Sequence, residues 1–302
     1  MMNKDLKPER YELPDGDERT ILRERIIKAL NAVPIYFKSP INIKGLAVTD
    51  LFSMNTLLGG AIEDQTTQAL NDTRNIWDPD GKYSEYFFKR YSESFPDVRL
   101  EKGVDQSPLI GIELKGWYLL SKEEMPSFRF RASADAVTEW DLLVVYPWSL
   151  SDVLSGTPKL EIPYIEQAKY AADYRTYYWE HRNPNAKKVV HPDTHPYPNP
   201  GSKYSDIAKD DSSGNFGRVA RVHGLMDDWV SDTMKNKLAG IEAKWWVKFF
   251  KLFDEKGVNE QKIKSQFEKI ADTEDHNKKW ADEFYGLISQ LMDLRVVLVK
   301  SF

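Results

Sequence analysis

The chemistry in this chain concentrates in FPDVRLEKGVDQSPLIGIELKGW, residues 95–117. Val98 and Leu100 alternate with polar residues on one side of the turn-forming GVDQSP, and Ile110, Ile112 and Leu114 do so on the other, which predicts an antiparallel hairpin. With the turn centred on Asp105, Asp97 faces Glu113 across the pair. Glu113 and Lys115 are two apart on one strand, so both leave the face opposite to Ile112 and Leu114. Two carboxylates and an amine are thereby collected on a largely buried strand. Gly111 lies beside Glu113 on that polar face, where a missing side chain leaves room for an ion or a ligand.

Facing carboxylates repel each other unless they are protonated or bridged by a cation. Oxygen donors of this kind favour a hard ion, Mg2+ above all, which keeps several waters and takes up phosphate oxygens. Such an ion activates a bound water, and an adjacent Lys orients the water or neutralises developing charge. The group suits phosphodiester hydrolysis. The bland alternative is an ordinary surface Glu-Lys pair, with Asp97 capping the start of a strand.

These residues need a sheet beneath them and helices around it. Asp17 to Ala32 has Ile21, Leu22, Ile26, Ile27 and Leu30 at helical spacing, and a second helix runs from about Asn55 to Trp77, ended by DPDG. YSEYFFKRYSESF reads as a short aromatic helix. After the hairpin, alternation in FRFR predicts a strand over Ser127 to Ala132, and the continuous LLVVY predicts a buried strand over Asp141 to Trp148. A helix begins near Pro163 and carries Tyr170, Tyr174 and Tyr178, which read as packing against the sheet. His181 to Gly217 is an aperiodic loop, and Met226 to Phe253 and Asn259 to Leu298 read as helical, with Trp229, Leu238, Ile241, Trp245 and Phe249 on one stripe. Helices, then a sheet, then helices make an α/β chain: a mixed sheet core flanked by helices, with a helical C-terminal region. No linker divides it, so residues 1–302 read as one domain.

Composition narrows the classes. With 42 Lys plus Arg against 47 Asp plus Glu and 41% hydrophobic residues, the 302-residue chain has the balance of a soluble globular protein. Having no Cys, it has no disulfide framework, thiolate zinc site or thiol nucleophile. The start lacks the apolar run of a signal peptide and no stretch has the length of a membrane span, which points to a cytoplasmic protein with no membrane partner. A net charge of −5 argues against indiscriminate coating of nucleic acid but leaves room for a local basic groove.

Pro96-Asp97, fifteen residues, then Glu113-Leu114-Lys115 resembles the motif of the PD-(D/E)xK nuclease superfamily, and more narrowly the type II restriction endonucleases. The resemblance rests on the central third of the chain. It implies a restriction-endonuclease-like fold, Mg2+ held by Asp97, Glu113 and the carbonyl of Leu114, and Lys115 serving the hydrolytic water. Glu63, on the helix before the hairpin, is the best match to a further acidic residue that many members use. Some relatives also have Gln and Tyr four apart after the sheet; here Gln167 has Ala171 at that spacing, so Gln167 is assigned no catalysis. The resemblance further implies double-stranded DNA as partner and a homodimer acting at palindromic sites. A repair or structure-specific nuclease of the same fold, or a noncatalytic DNA-binding protein, are the alternatives.

Basic residues placed to meet DNA are Arg129 and Arg131 in FRFR, Lys169 and Arg175 on the tyrosine helix, and Lys203, Arg218 and Arg221 around the long loop. His191, Asp193 and His195 in HPDTHP read as loop polarity, because the prolines prevent the helix that would align the two imidazoles.

Overall fold

A computed structural model describes residues 6–46, 50–91, 95–103, 108–190 and 215–254, with 257–258 and 265. Two compact units divide the chain, Met1–Lys244 and Trp245–Phe302. The first is mixed α/β, a mixed sheet flanked by helices.

Helix α1 (Glu18–Tyr36) starts where the Asp17 carboxylate accepts from the N–H groups of Arg19 and Thr20, and it buries Leu22, Ile26, Ala29, Leu30 and Val33. Pro34 lies in its last turn and has no N–H to give Leu30. The stranded Leu30 carbonyl accepts instead from the Tyr146 hydroxyl at 2.6 Å, which ties the helix to the sheet. Helices α2 (Met54–Asp72) and α3 (Arg74–Trp77) follow, and α2 packs on the sheet.

Over 83–95, expected as a helix, the described residues 83–91 instead form turns and strand β1 (Phe87–Arg90). Its pairing with β2 (Val98–Glu101) outweighs local helical pattern, and Phe88 is buried opposite Leu100. The outer edge of β1 is closed by Asn71, whose amide both donates to the Phe88 carbonyl and accepts from its N–H, each at 2.9 Å. Arg74 adds a bond to the Tyr83 carbonyl at 2.9 Å and one to the Tyr86 carbonyl. An edge covered in this way offers no template to another chain.

Strand β3 (Ile110–Tyr118) is antiparallel to β2 and parallel to β4 (Leu142–Leu150), whose nine residues are all buried. On the far edge of β4 lie β5 (Pro158–Leu160) and β6 (Tyr164–Gln167), both antiparallel to it. Pairing slips by one residue between them, so the two behave as one strand with a bulge at Pro163, where a missing N–H costs nothing. The helix expected from Pro163 therefore starts later, as α4 (Ala168–His181).

Two further expectations are corrected. Ser127–Ala132 forms no strand of this sheet: the Phe130 N–H donates to the Gly217 carbonyl at 2.7 Å, and the Phe130 and Ala132 carbonyls are taken by Arg175. Met226 to Phe253 is not one helix. Helix α5 (Asp227–Thr233) stops before a hairpin of β7 (Lys237–Leu238) and β8 (Ile241–Glu242), turned by Ala239 and Gly240 with φ of 50° and 84°. Positive φ at both central residues is the mark of a tight hairpin turn, and it breaks the expected stripe. Helix α6 (Ala243–Phe250) then begins, and the second unit also holds a ladder of Phe253–Asp254 with Gly257–Val258. HPDTHP and, apart from Ser265, the helix expected over Asn259 to Leu298 lie outside the described residues.

Candidate active site

Val98 pairs with Ile112, Arg99 with Gly111 and Leu100 with Ile110, the register that puts Asp97 opposite Glu113. Strand β2 ends there while β3 continues to Tyr118, leaving a stretch of β3 edge without a strand partner on that side among the described residues. Side chains satisfy it. The Leu114 N–H donates to Asp97 Oδ2 at 3.2 Å, and the Tyr118 N–H donates to Asn55 Oδ1 at 2.8 Å from α2. Asp97 is held in turn through its own carbonyl, which accepts from the Tyr91 N–H at 2.6 Å. At the other end Asp141 accepts from the N–H groups of Gly111 and Thr138, both at 2.8 Å, fixing the start of β4 against β3.

Lys115 Nζ lies 2.5 Å from Asp97 Oδ2 and 3.0 Å from Glu113 Oε1. The three side chains are 16%, 10% and 3% exposed, so they interact in a poorly solvated place where charge effects are strong. Burial, with Asp97 adding to it, pushes the Glu113 carboxyl up to about 7 in spite of Lys115. Burial opposes the Lys115 ammonium, yet the Glu113 and Asp97 carboxylates more than offset it and hold its pKa above that of an ordinary lysine. Among the described residues, Glu113 Oε2 is buried without a hydrogen-bond partner. An unpaired buried carboxylate oxygen is costly unless something else binds it.

Glu63 reaches the same neighbourhood from α2. Its pKa is raised by burial first, with Lys115 and then Arg90 working against the rise and Asp97 adding to it. Its Oε2 accepts from Arg90 Nη2 at 3.0 Å. Arg90 was not anticipated from the sequence, because reading 83–95 as a helix concealed its place at the end of an edge strand beside Asp97.

The donor set fits a hard cation. Asp97 and Glu113 supply oxygens, Glu113 Oε2 is unsatisfied, and the Leu114 carbonyl leaves β3 on the same edge as its N–H, toward Asp97. Among the described residues no three acidic or imidazole groups converge to enclose an ion unaided. An ion held by two carboxylates completes its shell with water and phosphate oxygens, as Mg2+ commonly does.

The expected DNA contacts separate into classes. Arg129 and Arg131 are exposed; Arg131 lies against Gly217, and Arg221 is exposed with a bond to Asn215 Oδ1 at 2.7 Å. Arg218 is half-buried beside them. These residues form one basic surface stitched by the Phe130 to Gly217 bond. Lys169 pairs with Glu139 at 2.6 Å and lies over the Tyr11 ring. Arg175 is corrected: it is fully buried, with its guanidinium spent on Phe130 O at 2.7 Å, Ala132 O at 3.1 Å and Thr176 Oγ1 at 3.0 Å, so it braces the basic surface and does not reach a phosphate. Lys203 lies outside the described residues. Gln167 has a structural use, accepting from the Tyr11 N–H and donating to the Tyr11 and Glu139 carbonyls. Tyr170 and Tyr174 are buried, and Tyr178 is half-buried.

No helix among the described residues is long and apolar enough to cross a membrane. A scan against protein-family models finds no match, and a search of curated proteins finds none either, so what the site does is argued from its geometry.

Proposed function

We propose that this protein is a Mg2+-dependent endonuclease that hydrolyses phosphodiester bonds of double-stranded DNA at a specific sequence, a type II restriction enzyme with a restriction-endonuclease-like core. One observation carries the reading: Asp97, Glu113 and Lys115 meet within hydrogen-bond distance at the open end of the hairpin, with one Glu113 oxygen left unsatisfied. Asp97, Glu113 and the Leu114 carbonyl would hold the ion, which when bound supplies a water of lowered pKa and neutralises charge on the phosphate. Lys115 donates to the attacking water and to the phosphoryl oxygens as charge builds. The strand that carries Glu113 and Lys115 is pinned by Asp141 and Asn55, which limits reorganisation during reaction. Arg129, Arg131, Arg218 and Arg221 supply the positive surface that a chain of net charge −5 needs to approach DNA. A cytoplasmic homodimer with two such sites would cut both strands of a palindrome.

The test is incubation of the purified protein with mixed-sequence plasmid DNA in Mg2+ or in EDTA, beside Lys115→Ala and Glu113→Ala proteins shown to fold. Discrete fragments that need Mg2+ and both residues support the proposal. A random smear would point to a nuclease without sequence preference, and binding without cleavage would leave a noncatalytic DNA-binding protein.

A further inference from the structure

The sheet edge beside the acidic pair carries a cation that this hydrolytic scheme leaves unused. Arg90 ends β1 opposite Val98, and the next residue, Tyr91, is bonded through its N–H to the Asp97 carbonyl. The guanidinium crosses to α2, where Nη2 meets Glu63 Oε2 at 3.0 Å and lies over Gly60. Glu63 in turn lies in the field of Lys115 and Asp97. Charges therefore alternate from Arg90 through Glu63 to Lys115 and then to Asp97 and Glu113.

Two details separate this arrangement from a simple surface ion pair. Arg90 Nε is enclosed and, among the described residues, has no hydrogen-bond partner, while the side chain keeps 24% exposure. A guanidinium held at one nitrogen by a carboxylate presents its other donors in a rigid plane, the geometry that suits phosphate oxygens. Glu63 meanwhile has Oε2 engaged by Arg90, and it does not join Asp97 and Glu113 in a three-carboxylate cage.

We infer that Arg90 is a catalytic residue that binds a nonbridging oxygen of the DNA phosphate at the cleaved step, and that Glu63 is the positioning residue that aims it and is not a ligand of the cation. The inference rests on the nuclease reading. DNA arriving at Asp97 and Glu113 brings negative charge to a place where the acidic groups already exceed the basic ones, and Arg90 is a cation on the β1 side that can meet it. A neutral residue there would lose one phosphate contact, whereas a residue serving only to pair Glu63 would lose none.

The experiment uses the full chain with linearised mixed-sequence plasmid DNA. Binding is measured over a salt series with Ca2+ in place of Mg2+, to separate binding from turnover, and cleavage is measured over a Mg2+ series. Arg90→Met should lower the slope of log affinity against log salt by about 0.9 for each protomer bound, one phosphate contact per site, and slow cleavage about 100-fold. Arg90→Lys should keep the slope and recover part of the turnover. Glu63→Gln should slow cleavage about tenfold with no change in the Mg2+ concentration for half-maximal rate. An unchanged salt slope in Arg90→Met, or a severalfold higher Mg2+ demand in Glu63→Gln, would overturn the inference while leaving the nuclease reading intact. Failure of the wild type to bind DNA would overturn both. Should Arg90→Met not fold by circular dichroism, Arg90→Gln takes its place, with the same fall in slope expected; an unchanged slope there, or raised Mg2+ demand in Glu63→Gln, refutes the assignment.

Discussion

Replacing Arg175 with Met tests whether the interior or the DNA interface owns this side chain. The guanidinium is wholly enclosed, and burial draws its pKa down to about 9, which leaves it charged at neutral pH. It bonds the carbonyls of Phe130 and Ala132 and stacks over Phe216 with 4.6 Å to the ring centroid. A Met of similar length fills most of the space but leaves both carbonyls unpaired, at a cost of about 1–3 kcal/mol each. The third partner, Thr176, loses little because its hydroxyl still donates to the Ala172 carbonyl. Removing a buried charge recovers part of the loss, so the expected net destabilisation is about 3 kcal/mol. For a unit of this size that lowers Tm by about 6–12 °C. Urea unfolding should show a lower midpoint with an unchanged slope. Arg175→Lys, which keeps the charge but not the planar fork, should fall between. DNA affinity of the folded Arg175→Lys protein should keep the wild-type salt slope. Stability within about 0.5 kcal/mol of wild type, together with a shallower salt slope, would show that Arg175 binds phosphate and that the structural argument is wrong.

Tyr146→Phe should cost about 1–3 kcal/mol, because the Leu30 carbonyl that Pro34 cannot serve is left buried and unpaired. In a Pro34→Ala background the helix supplies its own N–H, so the same change should cost less; a double-mutant cycle by urea unfolding with no coupling would refute the link. Asn71→Ala should open the outer edge of β1, lowering stability by about 1–2 kcal/mol and raising concentration-dependent light scattering. Asp173 has its carboxyl pKa raised, by burial above all and against the bond from the Tyr11 hydroxyl at 2.5 Å. Its contribution is therefore full below the unfolded value of 3.8 and declines as pH rises through the folded one. Asp173→Asn should accordingly gain stability relative to wild type as the pH rises above 3.8, and a difference in urea midpoints that stays flat with pH would contradict the assignment.

Local pattern carried the reading furthest where one rule governed several residues at once. A period of two and a single turn settled which residues of the 95–117 segment share a face, and the observed pairing of Arg99 with Gly111 follows from it. The all-apolar LLVVY run became the buried central strand for the same reason, since a strand covered on both faces has no polar side to show. The cap at Asp17 and the helix behind it were equally local.

What tertiary structure decided were the hydrogen-bond partners that come from far along the chain. FRFR keeps its alternation of exposed and buried side chains, yet its backbone goes to Gly217 and Arg175 rather than to a neighbouring strand. Phe87–Arg90 is a strand because β2 and Asn71 claim its two edges, which no helical preference of an aromatic run can reveal. Arg175 and Arg90 show the same division for charge. Sequence marked Arg175 as a DNA contact and passed over Arg90, and only packing buried the first beneath the basic surface and set the second on Glu63, next to the residue bonded to Asp97. Side-chain type is a local property, but desolvation and partner are set by whatever the fold brings within a few ångströms.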